Sequence, residues 1–268
     1  ILSTNKLKTK QKGAPRLQPR SPFLSFTSPI IMSDLARTST ESWHFWQDTA
    51  RSPAYNMAAD EALLNNATRR GLPLLRFYTW DRPSVSIGYI QRHSAAPAGF
   101  AVVRRPTGGG VVYHDHDFTY TLVFPRGHRL TTLDRNQSYD DINRSVQQAL
   151  LSLRLPASLS EDQISAEVDR QAMVCFSNPT RYDILLGGRK VGGSAQRRNQ
   201  HGILHQGSLH FGAPLPVSRQ TLAAAIKQAF TETMQVVFSD YQPDPELSQQ
   251  IDTLAQEKYA TSAWNQRR

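Results

Sequence analysis

The stretch Arg104-Arg105-Pro106-Thr107-Gly108-Gly109-Gly110-Val111-Val112-Tyr113-His114-Asp115 is the most unusual part of the chain and decides its fold. Three consecutive glycines cost backbone entropy on folding, so the loop needs positive φ angles or a close approach to its backbone. The two arginines before the glycines indicate that the approaching group is anionic. The loop lacks the lysine of a Walker A motif and the spacing of a dinucleotide fingerprint. It therefore predicts a phosphate- or carboxylate-binding loop, with a plain flexible turn as the alternative.

Short β-rich runs and several helices surround this loop. Runs typical of strands occupy residues 43–47, 74–80, 84–89, 101–104, 111–113, 118–124 and 203–211, separated by Pro or Gly signals. We expect the first run to form an edge strand. Helices are predicted with Asn56 as a cap, with Ser138 as a cap and Asp141 at the capping-box position, across Leu222 to Met234, and from about Pro245. The predicted fold class is α+β, one mostly antiparallel or mixed sheet with helices packed on it, in a single domain over residues 41–268.

A second glycine signal predicts a hairpin in the later part of the chain. Gly187 and Gly188 supply the positive φ angles of a two-residue loop between strands that start near Tyr182 and Arg189. In that register Leu185 pairs with Lys190 and Ile184 pairs with Val191. Side-chain alternation then puts Asp183 and Lys190 on one face as diagonal neighbours. An ammonium group held by a carboxylate in this way is a candidate functional group, whereas a lone hairpin lysine is more often solvated.

The net charge of +9 over 268 residues lies mostly at one end of the chain. Residues 1–31 carry six Lys or Arg and no acid, which leaves 25 basic and 22 acidic residues, a net +3, over residues 32–268. Residues 32–268 are therefore nearly neutral, and their aromatic residues are not interleaved along a basic stripe. Both observations argue against a nucleic-acid partner. We expect residues 1–40 to be a disordered basic leader, a transit peptide included, or mis-assigned start sequence.

The remaining composition limits the compartment and the chemistry. No apolar run approaches the ~18 residues that a membrane helix needs, so no membrane partner is expected. The one cysteine, Cys175, excludes an intramolecular disulfide and favours a reducing, cytoplasmic compartment. The histidines, among them His114, His116 and His201, are not at a recognised zinc spacing, so no metal site is predicted.

Taken together, the motifs resemble the biotin/lipoate ligase superfamily, in its branch of lipoate-protein ligases and cysteine-type octanoyltransferases. The resemblance covers roughly residues 43–265 and rests on the order and spacing of several motifs. These are the glycine loop 104–115, Asn56-Met57-Ala58-Ala59-Asp60-Glu61, Leu75-Arg76-Phe77-Tyr78, Gly187 to Gln196, His205-Gln206-Gly207-Ser208-Leu209, Lys258-Tyr259 and Trp264-Asn265. It implies the catalytic-domain fold of that superfamily, without a C-terminal accessory domain.

The resemblance also implies acyl transfer to one lysine of a lipoyl carrier domain. Lys190 then lies against the acyl carbonyl, where an ammonium stabilises the developing oxyanion. The substrate-binding residues implied are Arg104, Arg105, Gly108, Gly109, Gly110, His114, Asp183, Gly192, Gly193, Ser194 and His205. For His114 a role in bracing the glycine loop is an equal alternative.

Two chemistries remain open within the branch, and Cys175 separates them. Cys175 to Asp183 resembles the nucleophile loop of the transferases, which take octanoyl from acyl carrier protein through a cysteine thioester and need no cofactor. The alternatives are a buried structural cysteine and an ATP-dependent lipoate ligase that uses ATP and Mg²⁺. A further alternative is a non-catalytic lipoyl-domain binder. The partners implied are acyl carrier protein and lipoyl carrier domains, those of 2-oxoacid dehydrogenase subunits and the glycine cleavage H protein.

Overall fold

A computed structural model describes residues 1, 40–162, 169, 171, 174, 179–212 and 214–267. Residues from 40 onward belong to one compact unit, Thr38–Arg268. Two sheets and the helices around them make up this unit, so the predicted α+β fold class is confirmed.

The strands form one large and one small sheet. They are β1 Glu41–Arg51, β2 Leu74–Trp80, β3 Ser84–Ile87, β4 Ala101–Arg104, β5 Val112–His114, β6 Phe118–Pro125, β7 Ala157–Leu159, β8 Ile184–Leu186, β9 Arg189–Asn199, β10 Gly202–Leu209 and β11 Val236–Asp240. The large sheet has the order β11-β1-β2-β6-β10-β9-β8-β7, and the small sheet has the order β4-β3-β5. β1 pairs in parallel with both β2 and β11, whereas the other pairs of the large sheet are antiparallel. The sheet is therefore mixed, and the prediction that residues 43–47 form an edge strand is wrong.

Two of the predicted helices begin four residues earlier in the chain than the cap patterns indicated. The helices are α1 Pro53–Asn65, α2 Ala67–Arg70, α3 Arg129–Thr132, α4 Arg135–Ser152, α5 Arg219–Met234, α6 Pro245–Leu254 and α7 Ser262–Asn265. The side chain of Ser52 caps α1, and that of Asp134 caps α4. Asn56 and Ser138, predicted as caps, lie buried inside these helices. Among the described residues, no helix is both long enough and apolar enough to cross a membrane.

Alternation along the central strands gives the large sheet two different faces. On one face, Leu122 of β6 and Ile203 of β10 join a core with the buried stripes of α4 and α5. On the other face, Val123 and Leu204 join a core with α1, α6 and Val103 of β4. At the end of this second face the apolar alternation gives way to buried polar residues, among them Thr121 of β6. The small sheet lies over that polar end, and the candidate site is found there.

The predicted hairpin is present, with one irregularity. Gly187 and Gly188 have φ of +55° and +79°, and Leu185 pairs with Lys190 as predicted. The next pair joins Ile184 to Gly192 rather than to Val191, because β9 contains an extra residue at this point. The pairing predicted for Ile184 is therefore wrong by one residue.

Candidate active site

A cleft with an empty volume of about 420 Å³, part of it open to solvent, lies between the small sheet and the polar end of the large sheet. Its walls are Met57, Tyr78, Trp80, Ser86, Arg105, Gly109, Val112, His114, Thr119, Gly193, Ser194, Ala195, Gln206, Gly207 and Ser208. Five of the predicted site residues, Arg105, Gly109, His114, Gly193 and Ser194, therefore meet in one cleft.

The glycine loop owes its shape to close backbone contacts and to Arg105. Gly109 has a φ of +91°, a conformation that favours glycine. A Cβ built on Gly88 would lie 2.0 Å from the carbonyl oxygen of Gly109, so the backbones of the two segments touch. Arg105 donates through Nη2 to the carbonyl oxygens of Gly108 (2.6 Å) and Gly110 (2.7 Å). The close approach predicted from the three glycines is thus made in part by the protein itself.

Arg104 lies outside the lining of this cleft. Its guanidinium donates to the carbonyl oxygens of Gly88, Gln91 and Asn265, at 3.1, 2.6 and 2.8 Å. The side chain of Asn265 accepts the backbone N–H of Arg104, and Trp264 Nε1 donates to the carbonyl of Arg104. The C-terminal helix α7 is in this way tied to the strand that leads into the glycine loop. A substrate contact of Arg104 stays a prediction, whereas the bracing role is what the structure shows.

His114 is held at the cleft wall by three neighbours. Its Nδ1 lies 2.8 Å from Oδ2 of Asp117, and its Nε2 lies 2.8 Å from Oγ of Ser86. The indole of Trp80 stacks on the imidazole with ring centroids 3.9 Å apart. Oδ2 of Asp117 also accepts from Thr119 and Ser208 (2.9 and 2.7 Å).

Asp117 is a buried carboxylate whose charge is stabilised locally. Burial alone raises the pKa of a carboxyl. For Asp117 the neighbouring His114 and the hydrogen bonds from His114, Ser208 and Thr119 outweigh burial, so its pKa lies below the usual value. Asp117 is therefore ionised at neutral pH and accepts the Nδ1–H of His114.

A second polar network links the cleft to the protein core. Gln206 accepts from the hydroxyl of Thr107 through Oε1 (2.6 Å) and donates to Asp60 through Nε2 (2.6 Å). Asp60 is fully buried and pairs with the equally buried Arg76 at 2.8 Å. Arg76 in turn pairs with Asp48 at 2.7 Å. This chain fixes the Gln206 amide in one orientation against the glycine loop.

Lys190 and Asp183 form a buried ion pair, as the hairpin register predicted. Nζ of Lys190 lies 2.7 Å from Oδ2 of Asp183, with side-chain exposures of 3% and 6%. Thr180 donates to the same oxygen through its N–H (2.6 Å) and its hydroxyl (2.8 Å). Burial raises the pKa of Asp183, although Lys190 and Thr180 favour its charged form. Lys190 precedes Gly193 of the cleft by three residues on β9, roughly 10 Å at the usual rise of a strand.

Tyr182, next to the ion pair, has a strained backbone. Its φ is +70°, a value that a residue with a Cβ seldom adopts. Its N–H donates to the carbonyl of Ser160, and its carbonyl accepts from Nδ2 of Asn143 on α4. The same Nδ2 lies 3.3 Å from Oγ of Ser194, so these contacts connect the Asp183 turn to the cleft strand β9.

His205 faces away from the cleft. Its neighbours on β10, Leu204 and Gln206, point to the face of the sheet that carries the cleft, and side chains alternate along a strand, so His205 points to the opposite face. Gln196 accepts from Arg198 through Oε1, so its Nε2 donates to Nδ1 of His205 at 3.1 Å. The imidazole therefore carries its proton on Nε2, a buried atom that has no hydrogen-bond partner among the residues that the structure describes. Burial lowers the pKa of His205 to about 3, so the ring is neutral. The rings of Tyr120 and Tyr139 are its neighbours on this face.

Three predicted glycines lie beside the cleft rather than in its lining, and the predicted nucleophile lies outside the described residues. Gly192 packs closely on Leu209, since a Cβ there would lie 2.7 Å from a Leu209 methyl carbon. Gly108 and Gly110 flank Gly109 in the glycine loop. Cys175 is not among the described residues, but Val174 before it forms a parallel bridge with Val111, which follows Gly110 in the glycine loop. Among the residues that are described, no three His, Cys, Asp or Glu side chains form a metal-binding cluster.

The sequence interpretation missed most of the cleft wall. The missed residues are Met57, Tyr78, Trp80, Ser86, Val112, Thr119, Ala195, Gln206, Gly207 and Ser208. One signal was available, since the polar residues Thr119, Gln206 and Ser208 alternate within strands that are buried along their whole length. Buried polar side chains at such positions need partners.

Comparisons with known proteins show the family of the chain. The sequence matches the family described as the lipoyl protein ligase A/B catalytic domain over residues 52–252. A relative named octanoyltransferase LipM from Staphylococcus epidermidis is 35% identical over 182 residues, which cover 63% of this chain and 66%, just under two thirds, of the relative. A second octanoyltransferase LipM, from Halalkalibacterium halodurans, is 30% identical over 276 residues, which cover 85% of this chain and 100% of the relative.

Among solved structures, the chain is similar to protein Ta0514, a putative lipoate protein ligase from T. acidophilum with bound lipoic acid, with a TM-score of 0.72 at 22% identity. The match covers 86% of this chain and 100% of the Ta0514 chain. This likeness shows the shared fold. The family match and the second relative, which is covered in full, confirm the predicted superfamily. The chain belongs to the lipoyl protein ligase A/B catalytic domain family.

Proposed function

We propose that this protein transfers an octanoyl or lipoyl group to the specific lysine of a lipoyl carrier domain. The acyl donor is an octanoyl thioester of acyl carrier protein, and the acyl group passes through a thioester on Cys175. The observation that carries the proposal is the apolar cleft beneath the glycine loop, with the buried Lys190–Asp183 pair on the strand that forms its wall. The two relatives named octanoyltransferase support the transfer.

The cleft is suited to a medium-length acyl chain. Aromatic and aliphatic side chains, among them Met57, Trp80 and Val112, supply apolar contact area. The polar groups at the wall already bond to one another, as in the Thr107–Gln206–Asp60 chain, so an apolar ligand leaves no hydrogen bond broken.

Lys190 supplies a fixed positive charge for the transition state. Attack on an acyl carbonyl turns its oxygen into an oxyanion, and an ammonium already in place stabilises that charge more than the ground state. The 2.7 Å contact with Asp183 restricts where the Lys190 ammonium sits, and burial of both groups limits screening by solvent.

The covalent sequence has two balanced steps. Cys175 loses its proton to solvent and its thiolate attacks the donor carbonyl; the donor C–S bond breaks, and the carrier thiolate leaves and takes a proton from solvent. The neutral amine of the acceptor lysine then attacks the Cys175 thioester, the second C–S bond breaks, and an amide forms as the amine loses a proton. The cysteine is restored, and no ATP is consumed. Val174, the residue before Cys175 in the sequence, forms a bridge with Val111 of the glycine loop.

Intact-mass spectrometry after incubation with octanoyl-acyl carrier protein, without ATP, tests the proposal. We expect one octanoyl adduct on the wild-type protein, none on Cys175→Ala, and transfer of the adduct to an added lipoyl domain. Octanoylation of the lipoyl domain by Cys175→Ala at the wild-type rate, or only when ATP is present, would overturn the proposal and favour the ligase.

A further inference from the structure

Ser86, His114 and Asp117 form a hydrogen-bonded series of hydroxyl, imidazole and carboxylate at the cleft wall. Both links of the series are 2.8 Å long. The three side chains come from β3, from β5 and from the turn before β6, and all three residues are buried, with exposures of 2%, 5% and 3%. Ser86 and His114 both line the cleft, so the reactive end of the series faces the space assigned to the acyl chain.

The protonation pattern gives the series a direction. Because Asp117 is ionised and accepts hydrogen bonds only, it takes the Nδ1–H of the imidazole. In the neutral ring, Nε2 is then an acceptor and takes the hydroxyl proton of Ser86. This is the arrangement in which a base activates a hydroxyl nucleophile, with a third group orienting the base.

The surroundings hold this geometry and favour negative charge on Ser86. Trp80 stacks on the imidazole at 3.9 Å, which fixes the plane of the ring. Nη1 of Arg105 lies 3.3 Å from Oγ of Ser86 and 3.0 Å from its carbonyl oxygen. The guanidinium therefore places positive charge where an alkoxide or an oxyanion would develop.

We propose that Ser86 is a second nucleophile in the cleft and that it gives the protein an acyl-thioester hydrolase activity independent of Cys175. The inference rests on the proposed function only for the identity of the acyl group. Such an activity removes an acyl group that enters the cleft without a lipoyl domain to receive it.

The hydrolysis balances with water as the co-reactant. Oγ of Ser86 bonds to the thioester carbonyl carbon while its proton moves to Nε2 of His114. The C–S bond then breaks, and the leaving thiolate takes that proton and departs as a thiol. Water next attacks the Ser86 ester and gives a proton to His114, the C–Oγ bond breaks, and Oγ takes the proton back. A thioester and water thus become a carboxylic acid and a thiol, and the enzyme is restored.

An alkyl fluorophosphonate tests the nucleophile without any substrate. The probe forms an Oγ–P bond with an activated serine and releases fluoride, and peptide mass spectrometry locates the adduct. In the Cys175→Ala protein, with the serine series intact, we expect one adduct on the peptide that contains Ser86. Ser84→Ala in that background is the matched control, because Ser84 lies on the same strand and bonds the carbonyl of Arg82 instead. It should label like its parent, and His114→Gln should label at least ~100-fold more slowly, the range for loss of a general base.

Release of thiol from octanoyl-N-acetylcysteamine measures the hydrolysis itself. We expect Cys175→Ala to retain slow turnover and Cys175→Ala/Ser86→Ala to lose it by ~100-fold or more. Absence of an adduct on Ser86 in the folded Cys175→Ala protein overturns the proposal, as does unchanged turnover when Ser86 is replaced. Failure of the proposed function has a separate signature, since wild-type protein would then not octanoylate a lipoyl domain, whatever happens at Ser86.

Discussion

Replacing Lys190 by methionine should separate the chemistry of this side chain from its contribution to stability. Methionine fills a similar volume, so the main physical change is the loss of the ammonium 2.7 Å from Asp183. Removing one partner of a buried ion pair leaves an uncompensated charge and costs ~3–5 kcal/mol. Against a typical stability of ~5–15 kcal/mol, that loss should lower the melting temperature by about 10 °C.

The double variant Lys190→Met/Asp183→Asn should recover most of this stability. The asparagine amide carries no charge and keeps an oxygen that can accept from Thr180, so only about 1–2 kcal/mol of the loss should remain. In the single variant the destabilisation should depend on pH. Burial keeps the folded pKa of Asp183 above its unfolded value, so Lys190→Met should be most stable in acid and lose stability as the pH rises through that pKa.

Urea unfolding at pH 4.5 and pH 7 measures the stability, and octanoyl transfer to a lipoyl domain measures the activity. We expect both variants to transfer at least ~100-fold more slowly than wild type, the usual loss for one preorganised oxyanion donor. In the same assay Lys227→Met is the matched control for Lys190→Met and should transfer like wild type, because Lys227 lies on α5, outside the cleft lining, with Nζ 4.2 Å from the Phe45 ring centroid. Normal transfer by the double variant would refute the reasoning, since it would make Lys190 a structural partner of Asp183 alone.

Three further predictions concern single residues. Burial holds the pKa of His205 at about 3, whereas the unfolded chain binds a proton near pH 6.5. The free energy of unfolding should therefore fall as the pH is lowered from 6.5 to 3, by up to ~1.4 kcal/mol per pH unit. His205→Gln should flatten this slope in urea titrations. Gly109→Ala should weaken acyl binding more than Gly99→Ala, as measured by calorimetry. Both glycines have φ near +90°, but only at Gly109 would a Cβ lie 2.9 Å from Nη2 of Arg105. Equal affinities of the two variants would show that the glycine loop does not bind the acyl group. Tyr182→Gly should raise the free energy of unfolding by up to about 1 kcal/mol, because it relieves the strain of a φ of +70°. Thermal unfolding measures the change. A lower stability of the variant would show that contacts of the tyrosine ring outweigh the strain.

The parts of this fold that were predicted correctly depend on local rules. The loop at Gly187 and Gly188 follows from positive φ and a period of two, and the same period brings Lys190 to Asp183. The caps were misplaced because Asn56 and Ser138 satisfy the cap pattern but have partners elsewhere. Asn56 bonds the carbonyl of Thr79 and accepts from Arg76, contacts that only the tertiary fold supplies.

The missed cleft wall has a different cause. Trp80, Ser86 and Ser208 come from separate strands, and their common neighbourhood depends on the small sheet lying over one end of the large one. Neither composition nor periodicity encodes that placement. The buried polar residues on β6 and β10 mark the right surface, but their partners can be named only when the strand order is known.

Arg104 and Arg105 were predicted to attract an anionic group, but most of the contacts that the structure shows for their guanidinium groups are with backbone carbonyl oxygens. The sequence suggests cations for an anionic visitor, yet the two guanidiniums donate to carbonyl oxygens of the glycine loop and its neighbours. A loop without strand pairing leaves such oxygens in need of donors, and the five N–H groups of arginine satisfy several at fixed angles where lysine has only a single centre. Because Arg105 remains charged while it holds the loop, the loop conformation and the positive potential beside Ser86 come from one side chain. A variant such as Arg105→Gln is therefore expected to change the loop conformation and the potential beside Ser86 together.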